Sequence, residues 1–240
     1  MNAFRLAGDM THLLSIIVLL LKIRTMKSCA GISLKTQELY VIVFVTRYLD
    51  LFTRYVSFYN TVMKLVFIGT SIAIVWYMRH HKVVKQTYNN DQDTFRHYFL
   101  VLPCFVLALL IHPVFNVMEN HHNQTHVSIS LETIYVCSQK GSPKVLWTFS
   151  LYLEVVAILP QLVLLQHSRN IDNLTGNYIF LLGAYRALYI INWIYRFFTE
   201  NHQVRWIPWV SGLVQTALYA DFFYYYIKSW KNNEKLKLPE

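Results

Sequence analysis

Between Tyr178 and Arg196 the chain reads YIFLLGAYRALYIINWIYR, an apolar run long enough to cross a bilayer that still carries two arginines, several tyrosines and an asparagine. At about 100° per residue, Tyr185, Tyr189, Asn192 and Arg196 share one narrow helical face, with Arg186 and Trp193 at its flanks. Such groups are costly in lipid and normally point into a protein-lined cavity, so this face is a candidate binding wall. In the competing reading, Asn192 and the tyrosines are interhelical hydrogen-bond partners and Arg196 snorkels to the interface.

Other apolar segments carry matching groups. Arg5, Asp9 and His12 lie at i, i+4 and i+7, one face of a helix. The run VIVFVTRYLDLF places Arg47, Tyr48 and Asp50 at membrane depth, and LWTFSLYLEVV places Trp147 and Glu154 seven residues apart. Arg5, Arg47, Arg186 and Arg196 outweigh Asp9, Asp50 and Glu154 when all are ionised. Arginine keeps its charge on burial and pairs bidentately with carboxylates, so the pattern suits an anionic ligand with several carboxylates. Asp50 is expected to neutralise one arginine, and Glu154 needs a partner that a neighbouring tyrosine can supply. His12 is either a pH sensor or a structural hydrogen-bond donor; spacing alone leaves both open.

The elements that must hold these groups follow from composition. Of 240 residues, 55% are hydrophobic and 15% charged, which points to an all-α polytopic membrane protein. The net charge of +9 sits in short connectors rather than on one stripe or arm, so it reads as topology and not as a nucleic-acid surface. Cys29, Cys104 and Cys137 have no metal-ligand spacing and cannot form a closed disulfide set. No cleavable signal peptide is expected; the first span serves as the insertion signal. No nucleophile, base and orienting group fall into register, so an enzyme is not expected, nor any cofactor beyond protons as effector.

Seven spans are expected, at about 4–21, 37–53, 58–78, 97–115, 145–165, 178–196 and 207–228. One set of connectors holds Lys22, Arg24, Lys27 and Lys35, then Arg79, Lys82 and Lys85, then Arg169, then the tail with Lys228, Lys231, Lys235 and Lys237. The positive-inside rule places this set in the cytosol, with the N-terminus lumenal and the C-terminus cytosolic. The long connector at about 114–144 is then lumenal and carries the sequon Asn123-Gln124-Thr125, a glycosylation candidate. His121, His122 and His126 in the same loop are read as solvated, not as metal ligands.

A faint internal repeat matches Ile32, Thr36, Arg47 and Leu49 to Ile171, Thr175, Arg186 and Leu188, each pair 139 residues apart. It suggests two parallel three-helix units, at about 1–85 and 145–228, joined by a linker helix at about 97–115 and followed by the tail 229–240, with a ligand site between the units.

The segments FRLAGDMTHLLSIIVLLLKI, SCAGISLKTQELYVIVFVTRYLDLF, LWTFSLYLEVVAILPQL, GAYRALYIINWIYRFF and QTALYADFFYYYIKSW resemble the KDEL receptor family, which reads endoplasmic-reticulum retention signals, over nearly the whole chain. Pro160-Gln161 resembles the PQ-loop signature, and the family looks like the SWEET and PQ-loop transporters in fold. The resemblance implies a cargo receptor. Such a receptor binds soluble proteins ending in a Lys/His-Asp-Glu-Leu type tetrapeptide in the acidic Golgi and releases them in the neutral endoplasmic reticulum.

Carried onto this sequence, the resemblance makes Arg5, Arg47 and Arg196 a ladder for the ligand's carboxylates and Asp50 a buried acid. It makes Tyr48, Tyr189, Asn192 and Trp193 cavity residues, beside the Arg186 that the helical face already offers as a ligand-binding candidate, and Trp147 the aromatic packed on the signal's first residue. His12 becomes the proton sensor, with Glu154 and Tyr185 as a coupled pair. Asp221 and the tail lysines Lys228, Lys231, Lys235 and Lys237 are implied in trafficking, the tail being read by the coatomer coat.

Two positions depart from the family. Lys144 stands where a glutamate usually pairs with the signal's basic first residue, which should disfavour lysine there. The loop at about 114–144 is also longer than the family's. A small-solute transporter of PQ-loop type is the alternative from another class, and a seven-helix signalling receptor a further one.

Overall fold

The computed structural model describes residues 3–52, 57–111, 144–168, 171–199, 206–236 and 238, and only the backbone at Asp50, Phe52, Lys144 and Trp206. Every regular element among them is helical: α1 (Ala3–Thr25), α2 (Leu34–Arg47), a 3₁₀ turn (Leu49–Phe52), α3 (Phe58–His80), α4 (Lys82–Gln86), α5 (Tyr98–Leu110), α6 (Lys144–Val156), α7 (Leu159–His167), α8 (Asn173–Thr199), α9 (Trp206–Leu218) and α10 (Ala220–Asn232).

Among the described residues, four segments are long and apolar enough to cross a membrane: Ala3–Thr25, Phe58–His80, Val145–His167 and Asn173–Thr199. At about 1.5 Å per residue, α1 reaches about 35 Å and α8 about 40 Å, more than a hydrocarbon core of about 30 Å. The segments expected at 37–53 and 207–228 are not single long helices. In the first, α2 stops at Arg47 and the chain tightens into the 3₁₀ turn, with the Tyr48 N–H bonded back to the Phe44 carbonyl. In the second, α9 and α10 meet at the fully buried Tyr219, whose N–H bonds the Thr216 carbonyl.

α1 lies along α8, and Gly8 permits the approach: a Cβ there would stand 3.0 Å from the Tyr189 ring. α6 is central, touching α2, α5 and α9, while α3 packs on α2. Leu19, Leu39, Val43, Leu153, Ile158, Leu165 and Ile179 form the dry interior. Phe58, Trp76, Tyr98, Phe99, Leu102, Phe198 and Trp230 stay exposed on the outside, as suits helices bathed in lipid.

One end of the bundle is closed by polar contacts. Ser33 caps α2 by accepting from the Thr36 N–H, and its own N–H donates to Gln161 Oε1 at 2.9 Å. Gln161 Nε2 donates to the Gly31 carbonyl at 2.7 Å, and Gly31 holds φ +75°, which favours glycine. The first turn of α7, carrying Pro160 and Gln161, therefore pins the α1–α2 connector.

Lys22, counted above with the connector charges, is buried. It pairs with Asp172 at 3.2 Å, donates to the Ala30 carbonyl at 2.7 Å and contacts Thr175 Oγ1. It is the last inward-facing turn of α1, so its stem lies in the helix interface while the amine finds a carboxylate at the rim. Cys29 and Cys104 are free and buried, and burial pushes the Cys29 thiol above its ordinary range. Cys137 lies outside the described residues.

Candidate functional site

At the other end, α1, α2, α3, α6, α8 and α9 enclose a cavity of about 660 Å³. The antiparallel pairing of α1 with α8 brings the start of one beside the end of the other. The exposed side chains of Arg5 and Arg196 therefore stand at its mouth.

The deepest charge is Glu154, 3% exposed on α6. Arg47 of α2 closes on its Oε2 at 2.5 Å, and Arg186 of α8 pairs with Oε1. The tyrosine that donates to it is Tyr185, at 3.1 Å. A lone buried carboxylate would be unfavourable; here two guanidiniums and a hydroxyl satisfy it, and the Gln215 amide secures its backbone carbonyl at 3.2 Å. Arg47 is fixed further by Ser150, donating to its Oγ at 3.2 Å and its carbonyl at 3.0 Å. The anion beside Arg47 is thus Glu154. The side chain of Asp50, expected to neutralise an arginine, lies outside the described residues.

Asp9, at the next level, accepts from the Tyr59 hydroxyl at 3.1 Å and from the Tyr189 hydroxyl. His12 is buried one turn further along α1. Its ring stacks on Tyr185, with centroids 4.3 Å apart and planes 14° apart, and on Phe67 at 4.6 Å. His12 therefore touches the same tyrosine that holds Glu154.

Aromatic groups make the rest of the wall. Tyr48 stacks on Phe44 at 5.9 Å, and Lys64 of α3, only 8% exposed, holds its ammonium 5.7 Å from the Tyr48 ring centre. Tyr189, Trp193 and Trp209 follow one another at 6.4 and 6.2 Å. Gly212 makes room for Trp193, since a Cβ there would fall 2.5 Å from the indole. Trp147 and the buried Asn192 line the same space.

The structure brings together Arg5, Asp9, His12, Arg47, Tyr48, Trp147, Glu154, Tyr185, Arg186, Tyr189, Asn192, Trp193 and Arg196 in one cavity. Sequence reasoning passed over Tyr59, Asn60, Lys64, Trp209 and Gln215, which also line it. An ammonium in the apolar run of α3 was a usable signal for Lys64; Trp209 and Gln215 carry no charge to betray them. Asp221, Lys228, Lys231 and Lys235 are exposed on or just after α10 and do not line the cavity. Lys237, Asn123, His121, His122 and His126 lie outside the described residues, and Lys144 is described only as the first residue of α6.

Chemically the lining is rich in cationic groups and walled by aromatic rings, a composition that suits an anion. Among the described lining residues Arg5, Arg47, Lys64, Arg186 and Arg196 face Asp9 and Glu154. Planar guanidiniums offer paired donors to carboxylates, and the stacked rings can take apolar parts of a ligand.

A family model described as ER lumen protein retaining receptor matches residues 28–140 and 131–196. Among relatives, the ER lumen protein-retaining receptor B of Arabidopsis thaliana is 67% identical over 239 residues, covering 100% of both chains. The ER lumen protein-retaining receptor of Petunia hybrida is 65% identical and that of Drosophila melanogaster 48%, again covering 100% of each chain.

Proposed function

This chain belongs to the ER lumen protein retaining receptor family, receptors rather than enzymes, and from that premise we propose that its cavity binds the C-terminal tetrapeptide of soluble endoplasmic-reticulum proteins. The observation that carries the reading is the surplus of guanidinium and ammonium groups over carboxylates in an aromatic-walled cavity. A Lys/His-Asp-Glu-Leu type peptide presents two acidic side chains, a terminal carboxylate and an apolar leucine, which fits such a lining. The volume of about 660 Å³ falls in the range of sites that enclose a small ligand.

In this reading Arg5, Arg47 and Arg196 take ligand carboxylates, and Trp147, Tyr48, Asn192 and Trp193 shape the walls. His12 is the proton-sensing group. Its protonation adds positive charge beside an anion site, and its stack on Tyr185 links it to the clasped Glu154. Peptide then binds more tightly as pH falls, and by linkage peptide and proton each favour the other's binding. Capture in the acidic Golgi and release in the neutral endoplasmic reticulum follow.

The full architecture in this reading is seven spans in two parallel three-helix units, N-terminus lumenal and C-terminus cytosolic. The common grip of the repeat-related Arg47 and Arg186 on Glu154 supports it. Lys228, Lys231, Lys235 and Lys237, with Asp221, then face the cytosol for coatomer, and Asn123 faces the lumen. Lys144, at the start of α6, biases the first signal residue away from lysine.

The deciding measurement is binding of labelled peptides ending in Xaa-Asp-Glu-Leu to the purified protein at about pH 5.5 and 7.4, either side of the histidine reference value, with an amidated peptide as control. Tighter binding in acid that is lost on amidation and varies with Xaa is expected. A folded protein that binds none of them, and instead moves labelled solute into proteoliposomes, would replace this reading with a transporter of PQ-loop type.

A further inference from the structure

Two walls of the cavity are buried more completely with depth. Along α9, Pro208 and Trp209 of the first turns are partly exposed, while Ser211 and then Gln215 are buried. Along α3, Tyr59 and Asn60 are partly exposed, while Lys64 and Phe67 are buried. At about 1.5 Å per residue, Gln215 and Phe67 lie about 9–12 Å deeper than Trp209 and Tyr59. A cargo chain can enter this space only by its C-terminus, because the other end of the signal leads to a folded body far larger than about 660 Å³. Four extended residues span about 13 Å. A tetrapeptide that reaches the floor therefore uses up the depth, and the residue just before it emerges level with the first turns of α3 and α9.

That level carries apolar surface which the signal itself does not use. Trp209 stands there with its ring 6.2 Å from that of Trp193, which lies against the α9 backbone at Gly212, and Pro208 precedes it on the same wall. The signal's one apolar residue, its leucine, is terminal and sits at the floor. We infer that Pro208 and Trp209 form an outer subsite that reads the cargo residue immediately before the tetrapeptide and favours an aromatic or large apolar one. The inference deepens the peptide-binding reading and rests on it. A ring at that position packs offset or edge-on against the Trp209 indole, the usual geometry of aromatic pairs, and glycine gains nothing there. Cargo proteins sharing one tetrapeptide are then ranked by the residue that precedes it.

Two measurements decide this. Acetylated pentapeptides Phe-Xaa-Asp-Glu-Leu and Gly-Xaa-Asp-Glu-Leu, with the same Xaa, are titrated calorimetrically into the native protein and into Trp209→Ala at one acidic pH. The native protein binds the Phe peptide about three- to tenfold more tightly, the scale of one aromatic contact, and in the variant the ratio falls towards one. Equal affinities in the native protein, or a ratio that Trp209→Ala leaves unchanged, overturn the subsite and leave the tetrapeptide reading intact. A folded native protein that binds neither peptide overturns both.

The second measurement uses the native protein alone and serves where Trp209→Ala fails to fold. A pentapeptide with benzoylphenylalanine in place of the Phe is photolysed in the complex, and the crosslinked residues are mapped by mass spectrometry. Crosslinks to Pro208 or Trp209 are expected. Crosslinks that fall only on other elements overturn the subsite, because they put the preceding residue of the cargo elsewhere.

Discussion

Arg47 and Arg186 hold opposite oxygens of one carboxylate, that of Glu154, from two helices that are 139 residues apart at these positions. Removing the charge by Glu154→Gln leaves two buried guanidiniums repelling each other. The loss of a buried ion pair's partner typically costs about 3–5 kcal/mol, so the empty variant should melt at clearly lower temperature. Saturating peptide should recover part of that loss, because ligand carboxylates can take the vacated donors. An unchanged melting curve would mean that the guanidiniums are neutralised by another group.

The arginine ladder predicts a graded response to alanine. Arg47 is mostly buried, so Arg47→Ala should weaken peptide binding by about 1.5–3 kcal/mol, the usual scale of a charge-assisted hydrogen bond. Arg196 is exposed at the mouth, and solvent screening makes its loss smaller. Calorimetric titration of both variants checks the order; equal losses, or none, contradict the ladder.

His12→Ala tests the pH switch. Protonation of the native ring adds charge next to the ligand, so native affinity should rise as pH falls, and the alanine variant should bind with a nearly flat pH profile. A variant that still binds more tightly in acid moves the sensor to another group.

Much of this site was legible because polar residues in a membrane-length apolar run are informative by themselves. Tyr185, Tyr189, Asn192 and Arg196 have the spacing of one helical face, and the structure puts all four on the cavity wall. What spacing cannot supply is pairing between helices. That Glu154 is shared by Arg47 and Arg186, and that Asp9 is held by Tyr59 and Tyr189, depends on how α1, α2, α3, α6 and α8 pack. The burial of Lys22 was hidden for a related reason: its pair with Asp172 exists only once the connector before α8 lies against the end of α1. The break at Tyr219 likewise left no trace in hydropathy, since both flanking helices are apolar on one face.

Two glycines that look alike in sequence should behave oppositely. A Cβ at Gly212 would meet the Trp193 indole at 2.5 Å, so Gly212→Ala must push that ring into the cavity and lower peptide affinity. At Gly69 nothing lies within 4 Å, so Gly69→Ala should leave binding alone and stabilise α3 by up to about 1 kcal/mol through helix propensity. Peptide titration and thermal unfolding of both variants give the comparison; a harmless Gly212→Ala would show that Trp193 has room to move.

The pinned end of the bundle should respond in stability rather than in binding. Gln161 is fully buried, accepts from the Ser33 N–H and donates to the Gly31 carbonyl, so Gln161→Ala strands two backbone groups away from water. At about 1–3 kcal/mol for each unsatisfied group, the variant should lose several kcal/mol, less where water reaches the gap. Gln161→Glu offers only acceptors when ionised, so it keeps the Ser33 contact, loses the Gly31 one and buries a charge, and should be no better. Neither side chain reaches the cavity, so peptide affinity of the folded fraction should stay native. Thermal unfolding alongside peptide titration separates the two readouts: a stable Gln161→Ala would show that the α1–α2 connector is held by other contacts, and a folded variant with weakened binding would show that this end of the bundle is coupled to the cavity.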